Sequence, residues 1–391
     1  MVIRRSSCAR GRAMRSAAGI LLAALCIPAL PAAAELSTSA DLSLTTGVIR
    51  TGGELSLATL GEARLTFQAE ASRDVRALVE LDTLLAPGSF PDFTLDVPRA
   101  YLKVRFPGVR LTAGKTRLSW GSGFIFDAGD VIFGGSSPLV DLSALDPRDR
   151  TAWLFSGYLP LGDLSFLEAV LLPSLPKSPA RPWYPGMPAV PAQPLVPFTS
   201  AAGGGRAVLG FPGLILEAGY LYDGADDVHL PYVGAQGSLV LDLYAAAGAA
   251  VPGGALSWDD VKKSLRVSCG AGRVFLLEAG GSIGIRCEAG FVPCGEWTAV
   301  AGGLPPASPG YGASIFAELS YAPVDTLSFQ ARSIVSPVDT SGIVFFSAAW
   351  GVFQGFSITG SVSAMFGEPG DTFSWGRDGD LSILIGLEHR F

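Results

Sequence analysis

The sequence predicts an all-β chain, an antiparallel transmembrane β-barrel of 16–18 strands, on three observations. The first is the segment Leu381–Phe391. Leu381, Ile383, Ile385, Leu387, His389 and Phe391 fall on one face of an extended strand, and Ser382, Leu384, Gly386, Glu388 and Arg390 on the other. A closing strand of this kind would leave an exposed edge, and pairing it with the first strand removes that edge. The second is composition. The 391 residues are 49% hydrophobic and only 16% charged, yet include 49 glycines, which are poor material for buried helices. A barrel in lipid accounts for both facts: its outside is apolar, its inside polar, and its backbone groups pair from strand to strand. The third is loop length. Counted back from Phe391, short and long connections largely alternate, as when short turns gather at one end of a barrel and longer loops at the other. A soluble sandwich, the competing reading of the last strand, gives no reason for such sorting.

The amino end has the form of a signal peptide over residues 1–34. Arg4, Arg5, Arg10, Arg12 and Arg15 precede an apolar run, Ala17–Leu30, and Ala32-Ala33-Ala34 suits cleavage before Glu35. Cys26 follows the bulky Leu25, which argues against a lipid-modified cysteine. The expected mature unit is 35–391.

Several stretches then alternate over about ten residues, the length a tilted strand needs to cross a bilayer. They are 62–72, 75–84, 97–106, 312–321 and 356–366. Short connections fall at 72–74, 107–108, 161–163, 212–213, 322–325 and 354–355. Long ones are expected near 86–96, 118–150, 173–204, 224–237, 292–311 and 367–379. The count is 18, with 254–291 ambiguous enough to allow 16. Residues 342–367 carry no charge and could be taken for a membrane helix, but their glycines and Ser/Thr alternation favour a hairpin turning at Gln354-Gly355.

Two loops stand out. Prolines occur at every third position from Pro173 to Pro197, the period of polyproline II, giving a stiff segment before the hinge Gly203-Gly204-Gly205. This proline-rich loop, 173–204, suits either a presented surface or a plain linker. The loop 118–150 carries Asp127, Asp130, Asp141, Asp146 and Asp149. Loops this long tend to have a job. Arg64, Arg76, Arg99, Lys103 and Arg105 share the polar faces of neighbouring strands. Two readings of that basic set are open. It faces the acidic loop across the lumen and sets up a transverse field, or it pairs with Glu70, Glu80 and Asp82 on adjacent strands.

Enzyme signals are thin. His229 follows Asp226-Asp227 in an expected outer loop, His389 sits on an apolar face, and no serine lies in a nucleophile elbow. Gly114-Lys115-Thr116 lacks the upstream spacing of a phosphate loop. Cys269, Cys287 and Cys294 read as unpaired packing residues and no metal site is expected. Trp153, Tyr158, Tyr222, Tyr244, Tyr321 and Trp350 read as interface aromatics. A net charge of −7 makes nucleic acid an unsuitable partner.

The aromatic Phe391 with alternating apolar residues before it, and Gly386 five positions upstream, resemble the closing strand of bacterial outer-membrane β-barrel proteins. Leu384 departs from that pattern, where a polar residue is usual. Gly114-Lys115, Trp120-Gly121, Asp127 and Asp130 resemble a strand-to-loop passage of porins and alginate-export-like barrels. The resemblance implies integral residence in the outer membrane and an assembly signal at Gly386 and Phe391 read by the barrel-assembly machinery. It also implies a channel for passive diffusion of small polar solutes or ions, no cofactor, no catalysis, membrane lipid as surroundings and a candidate homo-oligomer. The loop 118–150 would be its constriction. A plugged structural or adhesive barrel, or one carrying apolar ligands, is the alternative.

Overall fold

The computed structural model describes residues 35–391 except 52, 88–92, 134–141, 143–149, 174–199, 255–256, 279, 295–310, 369–370, 372 and 374–380. The expected signal peptide, residues 1–34, nearly all of the proline run, and Asp141, Asp146 and Asp149 therefore lie outside the described residues.

The first half of the chain runs β1 (Glu35–Thr51), β2 (Glu54–Ser72), β3 (Val75–Leu85), β4 (Phe93–Phe106), β5 (Val109–Thr116), β6 (Ala152–Pro160), β7 (Phe166–Leu172), β8 (Ala202–Phe211) and β9 (Leu214–Asp223). The second half runs β10 (Val228–Ser238), β11 (Asp242–Gly248), β12 (Val251–Pro252), a short helix α1 (Trp258–Ser264), β13 (Arg266–Leu276), β14 (Ser282–Val292) and β15 (Gly312–Val324). It ends with β16 (Leu327–Val335), β17 (Gly342–Phe353), β18 (Phe356–Phe366) and β19 (Leu381–Arg390). Apart from β11 and β12, each strand pairs antiparallel with its chain neighbours, and β1 pairs with β19 from Asp41↔Arg390 to Arg50↔Leu381, which closes the barrel. β12 continues β11, both pairing with β10, so eighteen staves form the wall among the described residues. The stave is interrupted opposite Pro231, which has no N–H to give the ladder. Only the reciprocal bond, from the Ala249 N–H to the Pro231 carbonyl at 3.1 Å, survives there.

This settles the count at 18. The ambiguous 254–291 segment holds two full strands preceded by α1. Ser257 caps the helix, its hydroxyl accepting from the Asp260 N–H at 3.1 Å, which breaks the period-two pattern locally. One expected loop is corrected. Residues 224–237 are almost entirely strand β10, and only 224–227 connect it to β9. The uncharged stretch 342–367 is a hairpin of β17 and β18 turning at Gln354-Gly355. No described helix is long and apolar enough to cross a membrane.

Alternation sorts the side chains. Ile315, Leu319 and Tyr321 point outward and stay exposed, while Ser314 and Phe316 on either side of Ile315 are buried. Leu65, Phe67, Val79, Leu102, Val233, Ile285, Val344 and Ile385 continue the exposed apolar band around the barrel. In water such a band would be a severe liability, whereas in a bilayer it is the contact surface. The expectation for the interface aromatics holds in part. Trp153, Tyr321 and Trp350 face outward. Tyr158 and Tyr244 are corrected: their strand phase turns them inward, Tyr158 stacking on Phe166 and Tyr244 reaching the Phe126 carbonyl.

Close strand approach fixes some glycines. Gly114 has φ +127°, and a Cβ there would run into the Ala100 carbonyl of the neighbouring strand. Nothing lies within 4 Å of a Cβ placed on Gly360. Gly114→Val should therefore cost about 3 kcal/mol or more through strain and collision, whereas Gly360→Ala should be nearly silent. The folded fraction of each variant in lipid vesicles, read by heat-modifiable migration on gels, checks the contrast.

Candidate functional site: a loop folded across the lumen

Between β5 and β6 the chain leaves the wall and turns into the barrel. Gly121 makes the turn at φ +78°, where a side chain would strike the Asp127 carboxylate. Asp127 then holds the loop's own shape. Its two oxygens accept the N–H groups of Gly123 at 2.9 Å and Gly129 at 2.8 Å. Asp130 accepts the Phe133 N–H at 3.2 Å. Both carboxylates are buried. Short acidic side chains closing turns on their own backbone is ordinary turn chemistry.

The root of the loop is held by a buried charge network on β7, β8 and β9. Arg206 bridges Glu168 at 2.8 Å and Glu217 at 3.0 Å. Glu168 accepts the Trp120 indole N–H at 3.1 Å, and Glu217 accepts the Gly121 N–H at 3.2 Å and the Tyr232 hydroxyl. Trp120 is fully buried against Tyr232, ring centroids 5.8 Å apart.

The tip reaches the far wall. The Glu288 carboxylate on β14 accepts three successive N–H groups, Phe124 at 2.9 Å, Ile125 at 2.7 Å and Phe126 at 3.1 Å. Ser268 on β13 accepts the Ala128 N–H at 2.9 Å. The Phe124 ring lies 4.0 Å from the Arg286 guanidinium and 5.4 Å from that of Arg332. Arg332 also binds Glu318 at 2.7 Å and the Leu142 carbonyl at 2.8 Å. Ile125, Phe126 and Leu142 pack with Phe316, Ile334, Ile343, Phe345, Met365 and Phe373 in an apolar core inside the barrel. The described part of the loop, residues 118–133 with Leu142, thus occupies the lumen alongside β7–β18.

On the opposite arc the arginines are more exposed, although Ile49, Leu78 and Glu80 there are buried. On the filled side Arg332 and Arg206 are 2% and 13% exposed, while Arg64 and Arg76 on β2 and β3 are 51% and 48% exposed. Of the five basic residues singled out in the sequence, three lie beside carboxylates on the same or the next strand. Arg64 is bidentate to Asp82 at 2.8 and 2.9 Å, Arg76 meets Glu70 at 3.4 Å and Gln68 at 2.6 Å, and Arg99 meets Glu80 at 3.5 Å. Lys103 sits over the Tyr101 ring at 4.7 Å, and Arg105 is exposed where β4 turns into β5. A cavity of about 530 Å³ opens among Asp41, Glu62, Arg64, Asp82, Glu388 and Arg390, where the first three strands meet the last. At that seam Arg390 binds Asp41 at 2.6 Å and the Phe391 N–H donates to the Ala40 carbonyl at 2.9 Å. Gly386 is buried between Thr45 and Thr359, its cross-strand partners.

Two placements bear on enzymatic chemistry. His229 is on β10 rather than in a loop, with its Nδ1 2.5 Å from the Tyr220 hydroxyl and its ring between Tyr220 and Tyr222. Cys269, Cys287 and Cys294 are free thiols. Among the described residues no cluster of His, Cys, Asp or Glu could hold a metal ion. Sequence reasoning missed Glu168, Arg206, Glu217, Ser268, Glu288, Arg286 and Arg332. The available signal was a solitary charge in an otherwise apolar strand, as with Glu168 in Phe166–Leu172.

No family model and no curated protein matches the sequence. Solved structures do resemble the fold. OccK2 (OpdF) of Pseudomonas aeruginosa superposes with a TM-score of 0.58 at 11% identity, over 91% of this chain and 98% of that one. The outer membrane protein OpdK of the same species gives 0.55 at 10%, over 91% and 98%. OccAB4 of Acinetobacter baumannii gives 0.53 at 12%, over 91% and 98%. At these identities the likeness is one of barrel architecture.

Proposed function

We propose that the protein is a porin-like channel of the bacterial outer membrane that passes small polar solutes or ions by passive diffusion. The observation that carries this reading is the asymmetry of the lumen: the inserted loop fills one side, and a charged, solvent-exposed arc on β1–β5 lines what is left. Paired charges along a narrow aqueous path select solutes by charge and size without binding them tightly. The outward apolar band supports membrane residence, and the outer-membrane neighbours in structure support its identity. Arg64, Arg76, Arg99, Lys103 and Arg105 line the path in this reading. Asp127 and Asp130 serve it indirectly, by shaping the loop that narrows it. Gly386 and Phe391 form the assembly signal. Catalysis is not part of the proposal, since His229 is engaged with tyrosines on the outer surface.

Conductance of the refolded mature chain in a planar bilayer tests it. Steady channels are expected, with reversal potentials under a salt gradient that shift toward cation preference in Arg99→Gln and Arg105→Gln. A β-rich, inserted protein that carries no current would sink the channel reading and bring forward a plugged barrel.

A further inference from the structure

We infer that Glu288 is the positioning residue that sets the bore of the passage by locking the inserted loop to the far wall; its role in the bore rests on the channel reading above. Residues 124–126 are Phe-Ile-Phe; the Phe124 ring meets the Arg286 and Arg332 guanidinium groups, and Ile125 and Phe126 offer the wall packing alone. Their three N–H groups point one way and would be orphaned inside the barrel without an acceptor. A single carboxylate, 1% exposed, takes all three. Apolar packing around Ile125 and Phe126 is strong but lets a loop slide. The carboxylate fixes its register; Ser268 accepts the Ala128 N–H at 2.9 Å and the Tyr244 hydroxyl donates to the Phe126 carbonyl at 3.0 Å, pinning the loop just beyond it. The held loop presents exposed Ser122 and half-buried Phe124, and residues 125–130 are buried. Bore width therefore depends on a contact between residues 162–164 positions apart in the chain.

Glu288→Gln keeps size and shape but replaces one acceptor oxygen with an amide nitrogen that opposes the loop's N–H groups. A spin label at Ser122→Cys, with Cys269, Cys287 and Cys294 changed to serine, reads loop mobility whether or not the barrel conducts. The label should be immobile in the parent, mobile in Glu288→Gln and intermediate in Glu288→Asp, whose shorter arm reaches fewer donors. Open-channel current noise should rise several-fold in Glu288→Gln. Ser268→Ala, which removes only the Ala128 acceptor, gives a second and milder release should Glu288→Gln fail to fold. A label equally immobile in the parent and in both releasing variants overturns the inference. A silent parent whose label is freed by Glu288→Gln supports the positioning role and removes only the channel reading.

Discussion

Excising residues 122–148 and bridging the gap with a short Gly-Ser linker should raise single-channel conductance several-fold and weaken discrimination between solutes, because an unobstructed barrel of this size leaves a wide aqueous lumen. The barrel itself should survive. The ladder between β5 and β6 runs from Arg110↔Tyr158 to Thr116↔Ala152 and includes no excised residue. The loss falls on the lumen core, where Phe316, Ile334, Ile343 and Phe345 would face water once Ile125 and Phe126 are gone. A modest drop in stability is therefore expected alongside the gain in current. Planar-bilayer recordings with polyethylene glycols of graded size would measure both bore and discrimination. Conductance unchanged by the excision would mean that the loop is not what narrows the path.

Arg206→Ala should be the most damaging single substitution in the wall. The guanidinium is the shared partner of Glu168 and Glu217, whose side chains are 7% and 9% exposed. Removing it leaves two buried carboxylates facing each other with only neutral donors, a loss of about 3–5 kcal/mol. The same carboxylates hold Trp120 and Gly121, so the root of the loop should loosen as well. Arg206→Lys keeps the charge but loses the fork that reaches two acceptors, and should fall between. Adding Glu168→Gln to Arg206→Ala should recover part of the loss, since contacting residues in one network couple strongly. Urea unfolding in vesicles, followed by tryptophan fluorescence, would measure all three. Wild-type stability in Arg206→Ala would show that the network contributes nothing net.

Most of the barrel was legible because lipid and water impose opposite demands on the two faces of a strand. Residues 62–72, 312–321 and 381–391 each announce both faces by simple alternation, and all three are staves in the structure. Residues 224–237 misled because Asp226-Asp227, Pro231, Gly234 and Gly237 carry turn chemistry. Pairing with β9 on one side and β11 on the other overrides those preferences. The α1 segment hid a strand boundary for the opposite reason, since its cap and charges are local signals with no period of two. The site was less legible. Strand phase shows that Arg64 faces the lumen, but not which partner it meets there, and in the ambiguous 254–291 segment it does not place Glu288 on either face. Arg64 meets Asp82, eighteen residues along and on the adjoining strand, and that pairing could be weighed from the sequence. Glu288 meets a backbone more than 160 residues away, and a carboxylate that binds backbone leaves no mark on the other residue's identity.

The seam between β1 and β19 has a kinetic meaning. It joins positions 349 residues apart, the Asp41–Arg390 pair being one rung. Every other ladder in the wall joins chain neighbours and can zip as soon as its hairpin exists, while this one waits for the final strand to arrive. Until then two edges stand open, and their backbone groups can be satisfied only by water or by a foreign strand. Contacts this distant in sequence are the slow ones to form. The vulnerable species in this protein's life is thus the nearly complete sheet that has not yet met its own beginning, and the short C-terminal segment decides how long that species lasts.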